Sequence, residues 1–172
     1  LVSDGGAAVV VMSAERARAL GVKHAVPILG IGQGQTSSEL PARSSLTTTE
    51  AVTSARTAFA MAGLAPADID VVQIYDCFTI AALMTLEDYG FCPKGQFGAW
   101  AAGGRLEIDG ELPMNTSGGL LSETGMPGLQ LIIEGVRQMR GQAQLQVKGA
   151  QNCLISNQGG TMHTHGTLIL GQ

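Results

Sequence analysis

Residues 69–89 read IDVVQIYDCFTIAALMTLEDY and hold two kinds of regular structure in one short stretch. Residues 69–75 are rich in β-branched and aromatic side chains, which predicts a strand. Residues 78–89 repeat apolar side chains at helical spacing, and Gly90 is a typical helix terminator. A strand that turns directly into a helix is a building unit of α/β domains, so this stretch predicts the fold class.

Further apolar segments on both sides of this unit predict the rest of the sheet. The additional strands are predicted at residues 7–12, 24–31, 144–155 and 167–170. The additional helices are predicted at residues 14–20, 50–62 and 129–139. Because the last two strands follow each other closely, we expect them to be antiparallel neighbours. The pattern predicts a three-layer α/β/α domain with a mixed five-stranded sheet.

The predicted helix ends carry capping signals. Ser13 can cap the helix at 14–20, and Thr47 with Glu50 has the spacing of a capping box. Two glycine-rich segments, residues 32–45 and 91–112, show no periodicity and are predicted to be loops. The glycines in residues 30–34 do not form a dinucleotide-binding fingerprint, because Gln35 stands at the third glycine position and no helix pattern follows.

Composition narrows the class of protein. A chain of 172 residues that is 45% hydrophobic can bury one substantial core. A net charge of −4 with only 10 Lys and Arg residues argues against nucleic acid as a partner. No run approaches the ~20 apolar residues of a membrane span, and no signal peptide precedes the domain, so we expect a cytoplasmic protein. Its three cysteines, Cys77, Cys92 and Cys153, fit neither a disulfide framework nor a zinc site.

The first polar junction is Tyr75-Asp76-Cys77-Phe78, where a predicted strand passes into a helix. Ligands of open α/β sheets gather at such strand ends. The start of a helix also favours an anion or a thiolate. The plainer interpretation is that Asp76 caps the helix and Cys77 is packed in the core.

The second junction runs from Asn115-Thr116-Ser117-Gly118-Gly119 through Glu123 to Gly125-Met126-Pro127-Gly128. Glycines allow a backbone to approach a ligand closely, and amides ahead of a helix can hold an oxyanion. Pro127 suits the first turn of the helix that follows. An ordinary tight loop is an equally good interpretation of this segment.

The third junction is Asn157-Gln158-Gly159-Gly160, followed by His163 and His165. Two histidines at this spacing on a strand could bind a metal, but the sequence offers no third ligand close by. A hydrogen-bonded or exposed pair of histidines is therefore the preferred interpretation, and we predict no metal site.

Together these junctions resemble, in order and spacing, the C-terminal half of the sterol-carrier-protein type of thiolase. Tyr75-Asp76-Cys77-Phe78 resembles the family's histidine-aspartate-cysteine-phenylalanine motif, and residues 115–119 resemble its Asn-Pro-Ser-Gly-Gly loop. Residues 1–22 look like the last strand and helix of the N-terminal half, and residues 23–172 look like the C-terminal domain. The chain opens at Leu1 without a methionine, so we expect it to be part of a longer protein.

The resemblance implies two similar α/β halves in a five-layered fold, a homodimer, and an acyl-CoA thioester as substrate. Coenzyme A would enter only as part of that substrate, and no other cofactor is implied. The family's Claisen chemistry uses a nucleophilic cysteine from the N-terminal half, so we expect this chain to be inactive alone. Here Met126 replaces the histidine of the family's Gly-His-Pro motif, Tyr75 replaces the oxyanion-motif histidine, and Asn157 begins a segment that lacks the second acid/base cysteine.

A related subgroup with tyrosine-aspartate motifs cleaves steroid side chains as aldolases together with an OB-fold partner protein. A retro-aldol reaction needs a base and an enolate donor but no cysteine nucleophile. The catalytic candidates are Tyr75, Asp76, Cys77, His163 and His165. The substrate-binding candidates are Asn115, Ser117, Gly118, Gly119, Glu123, Met126, Asn157, Gly159 and Gly160. Two alternatives to carbon-carbon bond chemistry are a non-catalytic acyl-CoA or lipid-binding or transfer protein, and a structural subunit domain.

Overall fold

The computed structural model describes residues 4–123 and 128–172. The strands are β1 (Ile28–Gln35), β2 (Val71–Ile74), β3 (Asn152–Gly159) and β4 (Thr164–Gly171). The helices are α1 (Ala14–Ala19), α2 (Ala51–Ala62), α3 (Thr79–Asp88), α4 (Phe97–Trp100), α5 (Gly119–Ser122) and α6 (Leu129–Arg140). Short 3₁₀ turns lie at Leu40–Ala42 and Pro66–Asp68. The strand-turn-helix unit predicted at residues 69–89 is confirmed as β2 and α3.

The described residues form a mixed sheet of four strands in the order β1-β4-β3-β2. β2 runs parallel to β3, while β4 pairs antiparallel with both β3 and β1. The mixed sheet and the antiparallel final pair are confirmed, but the predicted fifth strand is wrong. Residues 7–12 have no regular structure, and Val10 and Val11 are 83% and 71% exposed. An apolar run forms a strand only where a neighbouring backbone completes its hydrogen bonds.

The two faces of the sheet carry separate apolar clusters. Val72, Leu154 and Ile169 pack with α2 and α3, whereas Val71, Cys153 and Leu170 pack with α6. Neighbouring residues of each strand point to opposite faces, so both faces are buried. The three-layer arrangement is therefore confirmed within the described part of the chain. The proposed division between residues 22 and 23 stays a prediction.

β1 lies further along the chain than predicted, because glycines that suggested a loop belong to a strand. Gly30, Gly32 and Gly34 face α2 so closely that an added Cβ would overlap the backbone oxygens of Ala58, Ser54 and Glu50, respectively. Absence of a side chain is what allows helix and strand to touch here. β3 is also shifted, to Asn152–Gly159, so Asn157 and Gly159 lie in the strand rather than in a loop after it.

The helix ends follow the predictions in part. The Ser13 hydroxyl accepts a hydrogen bond from the Arg16 amide, and Gly63 ends α2 in the left-handed conformation. The predicted capping box of Thr47 and Glu50 is not formed, because α2 begins at Ala51. Within residues 4–123 and 128–172, no helix is long and apolar enough to cross a membrane.

Candidate active site

Parallel pairing of β2 and β3 brings the first and third junctions to one edge of the sheet. Ile74 pairs with Ser156, and the Tyr75 amide donates to the Ser156 carbonyl at 3.1 Å. Both strands point the same way, so the segments that follow them leave the sheet side by side. Tyr75 and Asn157 therefore lie at the same carboxyl edge, where α/β sheets bind ligands.

The second junction is attached to this edge through Asn115. Its side-chain amide donates to the Ile74 carbonyl at 2.9 Å, and its side-chain oxygen accepts from the Ile74 amide at 2.7 Å. The Asn115 backbone amide also donates to the Val72 carbonyl. Asn115 thus extends β2 on its open side while its own backbone adopts a φ of 51°, which Asn tolerates well.

Asp76 fastens the second junction to the first. One of its carboxylate oxygens accepts from the Leu120 amide at 2.6 Å, at the start of α5. A Cβ on Gly119 would run into the Asp76 carboxylate and the Asn115 side chain, so only glycine fits at this position, where φ is 62°. The buried Asp76 does not cap α3, since α3 begins after Phe78 without a side-chain cap. Its contacts are those of a positioning residue.

Several backbone amides of the second junction already have partners. The Gly118 amide donates to the Asn115 carbonyl, and the Leu120 amide is held by Asp76. The Ser117 hydroxyl donates to exposed Glu123 at 2.8 Å. The predicted oxyanion role for this loop therefore has fewer amides to use than the sequence suggested. Met126 lies outside the described residues, as do Gly125 and Pro127.

A buried polar network anchors the second junction from below. The Thr116 hydroxyl donates to Glu134 Oε1 and accepts from the side-chain amides of Gln73 and Gln138, at 2.5, 3.0 and 2.9 Å. Glu134 and Gln138 are one helical turn apart on α6 and buried. The network fixes Thr116, and with it the loop between Asn115 and Gly119, to the α6 face of the sheet. The sequence analysis did not identify it.

Tyr75 is the half-buried phenol at the centre of the edge. Its ring packs against the α6-side cluster. Burial raises its pKa above the usual 10.0, and the neighbouring Cys77 thiol adds to the increase. At neutral pH the side chain is therefore a neutral phenol that can donate a hydrogen bond.

Gln158 connects Tyr75 and Cys77 with β3. Its side-chain amide donates to the Tyr75 carbonyl at 3.4 Å and to the Cys77 sulfur at 3.5 Å. The sequence analysis quoted Gln158 within the third junction but gave it no role, since a glutamine near a strand end carries no distinctive signal. The other two cysteines, Cys92 and Cys153, are buried, and burial raises the pKa of both thiols.

The two histidines have different environments. His163 lies in the turn between β3 and β4, next to Gly160, whereas His165 is inside β4 and 2% exposed. The expectation of two histidines on one strand is therefore wrong. His165 Nε2 contacts the Ser156 hydroxyl at 2.8 Å and the Tyr89 hydroxyl at 3.1 Å. Burial lowers the pKa of His165 from 6.5 to about 4, so its ring is neutral at neutral pH.

A shallow, open pocket of about 300 Å³ adjoins the third junction. Its walls come from β1, β3 and β4, with Gln33, Asn157, Gln158, Gly159 and His165 among them. No group of three potential metal-ligating side chains occurs in the part of the chain that the structure describes. The geometry thus offers a phenolic donor, a thiol, amides and a neutral imidazole, which suit hydrogen bonding and proton transfer.

Comparison with known proteins agrees with this architecture. The family model described as "Thiolase C-terminal domain-like" matches residues 32–172. An acetyl-CoA acetyltransferase of Methanothermobacter thermautotrophicus is 39% identical over 165 residues, 93% of this chain and 43% of that protein. The 17-hydroxy-3-oxo-4-pregnene-20-carboxyl-CoA lyase of Mycobacterium tuberculosis is 38% identical over 176 residues, 98% of this chain and 44% of that protein.

Two further matches are informative. Sterol carrier protein 2 of Rattus norvegicus is 40% identical over 109 residues, 61% of this chain and 20% of that protein. A solved structure titled "Ltp2-ChsH2(DUF35) aldolase" superposes with a TM-score of 0.83 at 36% identity, over 92% of this chain and 42% of that one. The chain spans less than half the length of these relatives. The chain belongs to the thiolase C-terminal domain-like family.

Proposed function

We propose that this domain is part of an acyl-CoA enzyme that makes or breaks a carbon-carbon bond without a thiolytic step, in the manner of a retro-aldol reaction. The observation that carries the proposal is the meeting of Tyr75, Asn115 and Asn157 at one edge of the sheet. The names of the relatives support the substrate class, because they include an acyl-CoA lyase and an aldolase. The finer chemistry rests on Tyr75 and on the replacement of the motif histidine by Met126.

Tyr75 would act as the hydrogen-bond donor to the thioester oxygen. In retro-aldol cleavage a base takes the proton of the β-hydroxyl, the Cα–Cβ bond breaks, and its electrons form a thioester enolate. A carbonyl compound leaves, and the enolate is protonated at Cα. A neutral phenol with a raised pKa can stabilise the negative oxygen of the enolate by donating to it.

Other residues would hold this arrangement in place. Asp76 and Asn115 fix the second junction, and Gln158 orients the backbone around Tyr75 and Cys77. Cys77 has a thiol beside Tyr75 but lies in the motif position that carries a cysteine in this branch of thiolases, not in the position of the nucleophile. We therefore assign it to the substrate pocket. The glycines at positions 118, 119, 159 and 160 would allow the thioester to approach the backbone.

Partners follow from the same proposal. We expect a homodimer in the cytoplasm and an OB-fold partner protein. The solved relative that superposes best with this chain among those described is titled as an assembly of two named components. The alternative function is acyl-CoA or lipid binding and transfer without catalysis. Met126 favours this alternative, because a thioether cannot replace the acid/base histidine.

The test uses the full-length protein with β-hydroxyacyl-CoA and β-ketoacyl-CoA, each with and without the OB-fold partner. We expect cleavage of the β-hydroxyacyl thioester, and the Tyr75→Phe variant should lose about 100-fold or more in kcat while keeping its affinity for acyl-CoA. Binding without any product would favour the transfer function. Undiminished cleavage by Tyr75→Phe would refute the role of the phenol.

A further inference from the structure

Two buried polar atoms at the pocket beside the third junction have no hydrogen-bond partner among the described residues. They are Gln158 Oε1 and His165 Nδ1. Both residues line the pocket of about 300 Å³, and His165 is 2% exposed. They face each other across the β3–β4 ladder, where Gln158 pairs with His165. Buried polar atoms are nearly always satisfied in folded proteins, so two such atoms at one pocket indicate a place for a ligand.

The orientation of the Gln158 amide follows from its neighbours. Its nitrogen contacts the Tyr75 carbonyl, which can only accept a hydrogen bond. Exchanging the nitrogen and oxygen would set two acceptors against each other. The nitrogen is therefore held on the Tyr75 side, and the oxygen is left as an acceptor for the pocket.

The tautomer of His165 follows from a chain of hydroxyl groups that leads to α2. The Ser54 hydroxyl donates to the Ala51 carbonyl at 3.2 Å, so it accepts from Thr167 at 2.8 Å. The Thr167 hydroxyl has then used its only hydrogen, so it accepts from Tyr89 at 2.7 Å. Tyr89 has in turn used its hydrogen. Its oxygen is left to accept from His165 Nε2 at 3.1 Å.

This proton order places the hydrogen of His165 on Nε2. That N–H donates to the oxygens of Tyr89 and Ser156 together. The reverse order would turn the contact between Ser54 and the Ala51 carbonyl into two facing acceptors. In the order that satisfies every contact, His165 Nδ1 is an unprotonated, buried acceptor on the opposite side of the ring.

We propose that His165 Nδ1 and Gln158 Oε1 form a subsite for a hydroxyl group of the acyl-CoA substrate. The inference deepens the proposed function and rests on it. Two acceptors require a ligand that supplies a hydrogen, and a β-hydroxyl does so where a β-keto oxygen or a methylene does not. The subsite therefore selects β-hydroxyacyl thioesters, because the wrong substrate leaves both acceptors buried and unsatisfied.

The experiment measures calorimetric binding of β-hydroxyoctanoyl-CoA, octanoyl-CoA and free coenzyme A to the full-length protein. We expect β-hydroxyoctanoyl-CoA to bind about tenfold more tightly than octanoyl-CoA. The His165→Gln variant keeps a donor near the Nε2 position and removes Nδ1, so it should abolish this preference. Gln158→Met should reduce it. His24→Gln makes the same substitution at an exposed histidine and is the matched control, which should keep the full preference.

The outcomes separate the inference from the function on which it rests. If neither thioester binds, the proposed function fails. If both bind equally well, or if His165→Gln weakens both by the same factor, the proposed function stands and the hydroxyl subsite is wrong. Equal binding of free coenzyme A would show that the acceptors serve an amide N–H of the coenzyme instead. Nitrogen NMR of His165 gives a second reading that needs no variant: hydrogen on Nδ1 in the free protein at neutral pH would overturn the inference.

Discussion

Two polar networks lie beneath the same edge of the sheet, one on each face, and they differ in how they end. On the α6 face, Thr116, Glu134 and Gln138 bind one another and hold the second junction from below. On the α2 face, the chain of hydroxyls from Ser54 ends at His165, whose second nitrogen borders the pocket. The comparison indicates that one face supports the site, while the other presents a functional group to it.

The largest effect should come from the α2 face, where β1 touches the helix. Gly32→Ala would drive a Cβ into the Ser54 carbonyl, so we expect a loss of about 3 kcal/mol in the free energy of unfolding. Gly98→Ala is the control, because a Cβ there meets nothing within 4 Å. Chemical denaturation of both variants measures the difference. Equal stabilities would mean that the close contact of β1 and α2 is wrong.

The next effect concerns pH and separates the two networks. The pKa of His165 is about 4 in the folded protein and near 6.5 when unfolded, so the unfolded state binds the proton more readily. Stability is then fully present above about pH 6.5, declines by up to about 3 kcal/mol as the pH falls towards 4, and loses nothing further from this group below that.

Denaturation at a series of pH values, compared with His165→Gln, measures this contribution. The variant should lack the decline that His165 causes, whereas His24→Gln should retain it. A wild-type curve that matches His165→Gln between pH 4 and pH 6.5 would contradict the buried neutral imidazole.

On the α6 face we expect a smaller change. Glu134→Leu removes the acceptor of the Thr116 hydroxyl and should lower the free energy of unfolding by about 2 kcal/mol. Glu134→Gln keeps an oxygen within reach and should cost less. The two variants are compared by denaturation and by acyl-CoA affinity. If Glu134→Leu leaves both unchanged, the network does not support the second junction.

The smallest effect is expected at the rim. Ser117→Ala breaks an exposed hydrogen bond to Glu123 and should change the free energy of unfolding by less than about 0.5 kcal/mol. Thermal unfolding resolves a change of that size only as a small shift in Tm. A loss comparable to that of Glu134→Leu would show that the rim carries as much of the loop's stability as the buried network.

The sequence predicted the parts of the fold that depend on local pattern. The β2–α3 unit, the left-handed glycine after α2 and the antiparallel final strands follow from periodicity and turn residues. β1 was misplaced because Gly30 and Gly32 are there for contact with α2, and local pattern cannot distinguish a contact glycine from a loop glycine. A strand at residues 7–12 was predicted from apolarity alone, which does not supply a neighbouring strand.

The candidate site shows the same division. Its three junctions were identified because strand ends and glycine-rich loops are visible in a sequence. Glu134 and Gln138 were missed, although two polar residues on the buried stripe of α6 were a usable signal. Tyr89 and Gln158 could not be assigned, because their roles depend on contacts between residues far apart in the chain.

A crystal structure of the full-length protein with β-hydroxyoctanoyl-CoA would test the central proposal most directly. The thioester oxygen should lie within hydrogen-bond distance of the Tyr75 hydroxyl, with the β-hydroxyl between Gln158 and His165. A thioester bound elsewhere, for example along the outer surface of α3 beside Lys94, would contradict the account.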